Sequence, residues 1–404
     1  MTPFHNKRIV LGVTGSIAAY KAADLASKLA QAGAQVDTIL TAGAQHFVTP
    51  LTFQSVTGRR AHGDADLWGS EAHVLHVGLA HGADLVVIAP ATANTLAKLA
   101  HGQADNLLTV TALAATCPLL VAPAMDGGMF DHPATQANLA QLRARGVHIA
   151  GPDAGHLASG LVAKGRLREP ALLLGEIRRV LAADGPLAGR KVVVTAGGTR
   201  EAIDPVRYLT NRSSGKQGYA VAQAALDAGA DVVLISTVGL PTPVGARLVT
   251  VAAAAELADA VLAAAADADA LVMAAAVADF RPAQTAAHKI KKSGDVPVIE
   301  LARTTDILAT VNAQVRPTGF PRVVIGFAAE TQDLAANAQD KLTRKGLDAI
   351  IANDVSAADA GFGVDTNRVT ILRRDGTSTQ SGLVSKEEVG SLVVGEIVAR
   401  LRET

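Results

Sequence analysis

Short apolar runs alternate with amphipathic segments along the first half of the chain. Four runs predict strands that helices cover on both faces, at 8–13, 35–40, 84–89 and 119–122. Between them, 17–32 predicts a helix that Gly33 ends, and a further helix is expected from Pro133 to Gly146. This alternation, with its short loops, predicts a doubly wound parallel sheet.

The same alternation begins again after an Ala-Ala-Asp-Gly-Pro segment at 182–186. Strands are predicted at 191–195, 231–236, 271–276, 323–327 and 349–352. Helices are predicted at 217–228 and at the alanine-rich 251–269. A chain of 404 residues is long enough for two cores. We therefore expect an α/β protein with two doubly wound Rossmann-like domains and mainly parallel sheets, at 1–185 and 186–404.

Composition narrows the class of protein. Lys plus Arg and Asp plus Glu both count 37, and aromatic residues are 3%, so a nucleic-acid-binding surface is not expected. The single Cys117 is expected in the core and suits a reducing, cytoplasmic compartment. The N-terminus does not look like a secretory leader. The uncharged segment 106–125 is interrupted by threonines and prolines, which predicts a helix and a buried strand and not a membrane span.

The first glycine turn, at Gly15-Ser16, lacks the G-x-G-x-x-G pattern of dinucleotide-binding proteins. A strand-turn-helix with Ser16 at the helix start still offers amide donors and a hydroxyl to one phosphate. Taken alone, the turn favours an ordinary helix cap over a phosphate site.

Five motifs extend that observation along the first half, in this order: G-S-I-A-A-Y-K (15–21), T-A-G-A-Q-H-F (41–47), A-P-A-T-A-N-T (89–95), A-D-N-L-L (104–108) and P-A-M (123–125). They recur in the flavin-dependent cysteine decarboxylases. Over essentially its whole length, the chain resembles the bifunctional phosphopantothenoylcysteine decarboxylase/phosphopantothenate–cysteine ligase family of coenzyme A biosynthesis.

This resemblance implies FMN in the first domain and assigns residues to it. The phosphate would lie near Gly15, Ser16, Ile17 and Thr41. The ring would lie near Pro90, Ala91, Thr92, Ala93, Asn94 and Met125. Asn106 would contact substrate. The family's catalytic histidine corresponds to His76, although His73 and His81 are close by in sequence. The implied chemistry is oxidation of the cysteine Cβ by the flavin, loss of CO₂ and return of the hydride.

Two positions depart from the family pattern. The usual P-A-M-N ends in Asp126 here, and the usual A-C-G reads Ala158-Ser159-Gly160. The family's cysteine donates the last proton, and a thiol titrates near ~8.5, whereas a serine hydroxyl is far less acidic. We expect Ser159 and Asp126 to take part in catalysis. The alternatives are a ligase with an impaired decarboxylase half, or a flavin-binding assembly or regulatory module.

The second glycine motif is at Gly215-Lys216. It is not a P-loop, because Thr210 and Gln217 occupy positions that a Walker A motif gives to Gly and Ser/Thr. The stretch 211–216 instead matches the N-x-S-S-G-K motif of the family's ligase half. Further matching motifs occur at 275–280, 289–292, 326–331 and 353–356.

For this half the resemblance implies joining of 4′-phosphopantothenate to cysteine, with CTP as the activating nucleotide and pyrophosphate as a product. Asn211 would hold the acyl-cytidylate, Lys289 would stabilise the triphosphate, and Asp279 would meet Mg²⁺ or the cytidine. The other implied substrate contacts are Met273, Ala274, Ala275, Thr305, Asp306, Ile307, Leu308, Phe327, Lys341 and Lys345. The family also implies a homo-oligomer, with trimeric flavin domains and dimeric ligase domains.

Overall fold

The computed structural model describes residues 3–68, 72–292, 298–330, 334–354, 361 and 363–403. Thr331, Val355 and Ser356 of the predicted motifs, and the side chain of His73, lie outside what is described. The chain divides into two compact units, Met1–Ala182 and Ala183–Thr404.

The first unit alternates strands and helices as its sequence predicts. Its strands are β1 (Arg8–Val13), β2 (Gln35–Leu40), β3 (Ala61–Gly63), β4 (Leu85–Ala91), β5 (Leu119–Pro123), β6 (His148–Ile149), β7 (Asp153–His156) and β8 (Val162–Arg166). Its helices are α1 (Ala19–Gln31), α2 (Pro50–Thr57), α3 (Ala72–His81), α4 (Ala93–His101), α5 (Leu107–Ala114), α6 (Gly127–Asp131), α7 (Pro133–Ala144) and α8 (Pro170–Leu181). Short 3₁₀ helices lie at Ala44–His46 and Asp64–Trp68.

Six of these strands form one parallel sheet in the order β3-β2-β1-β4-β5-β6. Successive residues of β1 face opposite sides, so Ile9 and Leu11 join one buried cluster and Val10 joins the other. The chain leaves β1 towards β2 and later returns on its other side as β4, which makes this pair the topological switch point. Ligands of open α/β sheets bind at the carboxyl ends of such strands.

The second unit has strands β9 (Lys191–Ala196), β10 (Arg200–Ala202), β11 (Tyr208–Thr210), β12 (Asp231–Ser236), β13 (Arg247–Thr250), β14 (Ala270–Met273), β15 (Phe280–Pro282), β16 (Leu301–Arg303), β17 (Val323–Glu330), β18 (Ala349–Asp354), β19 (Thr366–Asn367), β20 (Val369–Arg373), β21 (Ser378–Gln380) and β22 (Val384–Ser385). Its helices are α9 (Lys216–Asp227), α10 (Ala254–Ala265), α11 (Ile307–Thr310), α12 (Leu334–Arg344) and α13 (Lys386–Glu403), with π and 3₁₀ turns at Val311–Val315 and Arg316–Thr318.

Eight strands of this unit form a sheet in the order β13-β12-β9-β14-β17-β18-β20-β21. The pairs from β13 to β18 are parallel, whereas β20 and β21 add antiparallel pairs at one edge. The predicted fold class, two doubly wound units with mainly parallel sheets, is confirmed. The switch point of this sheet lies between β9 and β14.

Predicted and observed bounds differ for several elements, among them two helices and one strand of the central sheets. The helix predicted at 17–32 begins only at Ala19. The strand predicted at 271–276 ends at Met273, because the N–H of Ala275 donates to the side-chain Oγ1 of Thr195 and that of Ala276 donates to the carbonyl of Gly197, beyond the end of β9. The helix predicted at 251–269 covers Ala254–Ala265.

Asp269 lies outside that helix because its carboxylate accepts hydrogen bonds at the start of the sheet. The donors are the backbone N–H of Lys191 at 3.0 Å and the guanidinium of Arg190 at 2.9 Å. The uncharged segment 106–125 contains α5 and β5, as predicted. Among the helices that the structure describes, none is long and apolar enough to cross a bilayer.

Candidate active sites

The turn after β1 and the loop after β4 are joined by one buried side chain. Thr14 Oγ1 donates to the carbonyl of Pro90 at 2.7 Å and accepts from the backbone N–H of Thr92 at 3.1 Å. Thr92 in turn caps α4, since its hydroxyl accepts from the N–H of Thr95. The predicted phosphate and ring segments therefore lie side by side at the switch point.

The loop after β2 closes on the same turn. Thr41 is buried, its N–H donates to the Val13 carbonyl at 3.1 Å, and its hydroxyl accepts from the N–H of Ala44. A Cβ added at Gly15 would lie 3.0 Å from the backbone carbon of Gly43. The two glycines thus bring two backbone segments together where a phosphate would bind.

Asp64 holds this arrangement in place, although nothing in the sequence singled it out. Its carboxylate accepts the N–H of Ala42 at 3.2 Å and the N–H of Leu107 at 3.2 Å. Asn106 caps α5 at the same point through the N–H of Thr109 at 2.9 Å. Asp64 therefore fixes the loop of Thr41 relative to the helix that Asn106 begins.

The β7–β8 hairpin packs against the loop after β5. Met125 N–H donates to the carbonyl of Gly165 at 3.0 Å, and Ala124 N–H donates to that of Ala91. Gly165 has φ +152, and a Cβ there would lie 2.2 Å from the Met125 carbonyl oxygen. Only glycine permits this approach, and through it the hairpin reaches the loop that carries Asp126.

Asp126 and Ser159 are directly bonded. The Ser159 hydroxyl donates to Asp126 Oδ2 at 2.6 Å, and the N–H of Gly128 donates to Oδ1 at 3.0 Å. These hydrogen bonds, the one from Ser159 first, hold the pKa of Asp126 below its ordinary value. The two departures from the family pattern thus form one hydrogen-bonded unit with an ionised carboxylate at neutral pH.

His76 lies on α3, which packs against α5. Its Nδ1 is buried and has no hydrogen-bond partner among the described residues. No described hydrogen bond joins His76 to Asp126, Ser159 or the turn at Gly15. The role predicted for His76 therefore stays a prediction, although α3 packs on the helix that Asn106 caps.

The second unit contains a cavity of about 840 Å³ at the carboxyl ends of β9, β14 and β17. Most predicted ligase residues line it: Asn211, Met273, Ala274, Ala275, Asp279, Thr305, Asp306, Ile307, Leu308, Phe327, Lys341 and Lys345. Motifs that are far apart in sequence thus converge on one cavity.

The side chain of Asn211 is hydrogen-bonded to the loop that follows β14. Its Nδ2 donates to the carbonyls of Ala276 at 3.3 Å and Val277 at 3.1 Å. A Cβ at Gly198 would lie 2.7 Å from the Asn211 carbonyl oxygen, so glycine is needed beside it. Both amide hydrogens of Asn211 are engaged, which leaves its Oδ1 as the atom for a ligand.

Lys289 is exposed and is not among the cavity-lining residues. Its loop is held by the β10–β11 turn: the N–H of Ile290 donates to Asp204 Oδ2 at 3.1 Å, and Arg207 donates to the Ile290 carbonyl at 3.0 Å. Asp204 is buried and also accepts from the Arg207 guanidinium at 2.5 Å. Sequence reasoning missed this anchor.

Two lysines line the cavity from the C-terminal end of α12: Lys341 lies in its last turn and Lys345 directly follows it. Lys345 forms an ion pair with Asp306, and Lys341 donates to the Phe327 carbonyl at 2.9 Å. Burial works against ionisation of Asp306, but the hydrogen bond from Lys345 holds its pKa below the ordinary value. Asp306 also accepts the N–H of Ala309, so it caps α11.

Lys386 is a lining residue that the sequence did not reveal. It begins α13, is only 6% exposed, and burial lowers the pKa of its ammonium. The side-chain amide of Gln217 donates to its carbonyl at 3.1 Å, and two buried amides, Asn353 and Asn367, line the same cavity. The only hint in sequence was a lysine at the first position of a helix, where a positive charge opposes the helix dipole.

Known families match both units. Residues 2–181 match the Flavoprotein family, and residues 187–401 match the DNA/pantothenate metabolism flavoprotein C-terminal domain. The Coenzyme A biosynthesis bifunctional protein CoaBC of Bacillus subtilis (strain 168) is 45% identical over 404 residues, covering 99% of this chain and 98% of the relative. The chain belongs to the family of coenzyme A biosynthesis bifunctional proteins.

A second curated relative agrees with this assignment. The CoaBC protein of Mycobacterium bovis (strain ATCC BAA-935 / AF2122/97) is 48% identical over 411 residues, covering 98% of this chain and 97% of the relative. A crystal structure of the C-terminal domain of a CoaBC protein is 37% identical, covers 55% of this chain and 100% of that chain, and has a TM-score of 0.47. The predicted function, a decarboxylase and a ligase of coenzyme A biosynthesis in one chain, is confirmed at the level of the family. A flavin-binding assembly or regulatory module is not favoured.

Proposed function

We propose that the second unit joins 4′-phosphopantothenate to cysteine with CTP, and that the first unit decarboxylates the product to 4′-phosphopantetheine. The observation that carries the ligase half is the cavity of about 840 Å³, where the predicted residues converge. The hydrogen-bonded switch point between Thr14, Pro90 and Thr92 supports the flavin half.

In the ligase half, Asn211 is the residue placed to orient an activated acyl group, because its Oδ1 is not used by the hydrogen bonds that fix its Nδ2. The cations Lys341, Arg344 and Lys345 line the cavity and suit a triphosphate. Lys289, exposed on the loop that Asp204 and Arg207 hold, would contact the same triphosphate.

Mg²⁺ would be held chiefly by the nucleotide. Within the described part of the chain, no three His, Cys, Asp or Glu side chains lie close enough to hold a metal ion. Asp279 is exposed at the cavity and could add one carboxylate ligand or contact the cytidine. Such a site suits Mg²⁺, which keeps several waters and binds through phosphates.

The first unit fits FMN on two observations. The close approach of Gly15 to Gly43 leaves backbone amides for a single phosphate. Beside them, Ile17 and Tyr20 are 59% and 61% exposed, so apolar side chains border the polar turn. Bound FMN would supply oxidation and re-reduction of the substrate carbon. Pro90, Ala91, Thr92, Ala93, Asn94 and Met125 would border the ring.

The residues of the chain position substrate and protons. His76 would orient the thiol or carboxylate of the substrate, and Asn106 would contact its pantothenoyl part. The Ser159 hydroxyl would hold a proton beside the reacting carbon, with Asp126 as its hydrogen-bond acceptor. We also propose that the chain assembles through trimeric flavin units and dimeric ligase units, which sedimentation of the full chain would test.

One assay tests both activities. Purified full-length chain is incubated with 4′-phosphopantothenate, cysteine, CTP and Mg²⁺, and products are followed by mass spectrometry alongside the visible flavin spectrum. We expect CMP, pyrophosphate and 4′-phosphopantetheine, and a yellow protein whose released chromophore is FMN. Accumulation of phosphopantothenoylcysteine without CO₂ would contradict the decarboxylase half. Absence of CTP-dependent amide formation would contradict the ligase half.

A further inference from the structure

A second cavity of the first unit lies at the opposite edge of the sheet from the flavin turn. It has a volume of about 690 Å³, and its polar lining consists of Arg8, Asp37, Arg59, Arg60 and His62. Arg8 is the first residue of β1, whereas the flavin turn follows the last. Because β1 has six residues, the two ends lie about 20 Å apart. The arginine end of the cavity is therefore separate from the flavin turn, whereas its other end, at His62, lies two residues before Asp64.

One buried carboxylate holds two arginines in this cavity. Asp37 Oδ2 accepts from Arg8 Nε at 2.7 Å, and Oδ1 accepts from Arg59 Nε at 2.7 Å. Burial opposes ionisation of Asp37, but these hydrogen bonds hold its pKa below the ordinary value. One negative charge therefore faces two guanidinium groups, and one positive charge remains in excess.

The guanidinium end of Arg59 is available to a ligand, whereas Nη1 of Arg8 packs against Gly82, where an added Cβ would lie 2.1 Å from it. Among the described residues, no hydrogen-bond partner is found for NH1 or NH2 of Arg8 and Arg59. Asp37 fixes both arginine side chains by accepting from the Nε of each. The two side chains therefore lose little conformational entropy when an anion binds. Arg60 adds a third guanidinium, whose NH2 donates to Asp66 at 2.5 Å.

His62 forms part of the wall between β3 and the arginines. It lies in β3, lines the cavity, and is 8% exposed. Its Nδ1 is buried without a hydrogen-bond partner among the described residues, and its nearest carboxylate oxygen, Asp66 Oδ2, is 3.9 Å away. Because this Nδ1 atom has no accessible surface, it lies behind the cavity wall, and the charge of the lining comes from the arginines.

We propose that this cavity binds a phosphate group, free or carried on a small organic molecule. The planar fork of arginine matches phosphate oxygens two at a time, and a pair of forks held side by side suits a doubly charged anion. Leu75 and Leu79 of α3 form an apolar wall that limits screening by water. The site does not depend on the function proposed for either active site.

The test is calorimetric titration of the FMN-loaded full-length chain with inorganic phosphate in a phosphate-free chloride buffer. Arg59→Gln should weaken the cavity's binding about tenfold, because it removes a charge-assisted donor. Arg60→Gln, which leaves the Asp37 pair intact, should weaken it about fivefold. Arg179→Gln is the matched control, since Arg179 is exposed in the same unit and pairs only with Glu176 at 3.2 Å. The Arg179→Gln variant should bind phosphate as tightly as the wild type does.

Loss of a partner for buried Asp37 could unfold Arg59→Gln, so its FMN content and circular dichroism are measured first. If that variant does not fold, Arg60→Gln decides. Titration with AMP separates the two sources: tighter binding than phosphate, equally sensitive to the arginines, indicates an organic phosphate, and weaker binding indicates the free ion. Phosphate and AMP affinities that are unchanged in both cavity variants would overturn the proposal.

Discussion

The Ser159 hydroxyl donates a 2.6 Å hydrogen bond to the carboxylate of Asp126, a residue 33 positions earlier in the chain. Because the hydrogen bond favours the ionised carboxylate, Asp126 is a proton acceptor at neutral pH and not a donor. It also directs the serine proton away from other acceptors. Neither residue of the pair is therefore a ready acid for the last protonation of the decarboxylase reaction.

This pairing makes a prediction about the product of decarboxylation. The double variant Asp126→Asn/Ser159→Cys places a neutral amide beside a thiol, so the final proton-dependent step should accelerate by about 10²-fold or more. Mass spectrometry should show more saturated decarboxylated product relative to the species that is poorer by two hydrogens. Ser159→Cys alone should gain less, because the ionised Asp126 beside the thiol disfavours proton release. If the wild type already yields only saturated product and neither variant changes the rate, the proton comes from another group.

His76 is predicted to act before that protonation. His76→Asn should reduce CO₂ release by about 10²–10⁴-fold, because substrate orientation or proton transfer is lost, while FMN content is unchanged. His81→Asn is the control, since His81 is exposed at the end of the same helix. Equal loss of activity in both variants would indicate general damage to α3, and full activity of His76→Asn would remove His76 from the mechanism.

Local hydrophobic patterning was enough to locate the central strands of both sheets but not their edge strands or the small hairpins. The predicted bounds 8–13, 35–40 and 231–236 match β1, β2 and β12, because a strand buried on both faces is mostly apolar, even though β2 contains the buried Asp37. The same alternation placed both glycine turns after predicted strands, and the structure has them at the ends of β1 and β9 and their neighbours.

Contacts between distant side chains could not be predicted in this way. The bond between Asp126 and Ser159 depends on how the β7–β8 hairpin folds over the loop after β5, and Asp64 reaches two loops that are far apart in sequence. Lys386 faces the ligase cavity only because α13 begins beside it. Such pairings are set by tertiary packing, to which residue spacing carries no direct signal.

The two ligase steps should separate by mutation. Asn211→Asp replaces an amide that donates to Ala276 and Val277 with a carboxylate that repels those carbonyls and the intermediate. Pyrophosphate release should continue, while amide formation slows by about 10²-fold. Lys289→Gln should slow pyrophosphate release itself, with Lys291→Gln as the exposed control. Rapid-quench measurements follow both products, and loss of the same step in both variants would contradict this division of roles.

The hydrogen bonds of Thr14 are expected to stabilise the flavin unit. Thr14→Val keeps the volume but leaves the Pro90 carbonyl and the Thr92 N–H without their buried partner. The free energy of unfolding should fall by about 1–3 kcal/mol, and FMN affinity should weaken because the two loops separate. Denaturant unfolding and flavin titration measure these effects. Thr116→Val, at an exposed position, should leave both unchanged, and an equal response of the two variants would refute the bridging role.

Asp204 connects stability with the ligase loop. Its carboxylate accepts hydrogen bonds from the Arg207 guanidinium first, and also from the N–H groups of Val206, Arg207 and Ile290. These bonds hold its pKa far below the ordinary value of 3.8, although burial opposes them. A lowered pKa in the folded state stabilises the fold above the unfolded value of ~3.9, and the contribution is lost as pH falls through the folded value.

Asp204→Asn should therefore lower the melting temperature of the second unit by the same amount at pH 7 and pH 5, and by less at pH 3. The exposed Asp231→Asn provides the control and should show no such difference. Because Asp204 also holds Ile290, the asparagine variant should raise the KM for CTP as the loop of Lys289 loosens, with little change in cysteine KM. A melting difference that is equal at all three pH values would show that the carboxylate is not ionised in the way its contacts require. An unchanged KM for CTP would show that the loop of Lys289 is positioned by other contacts.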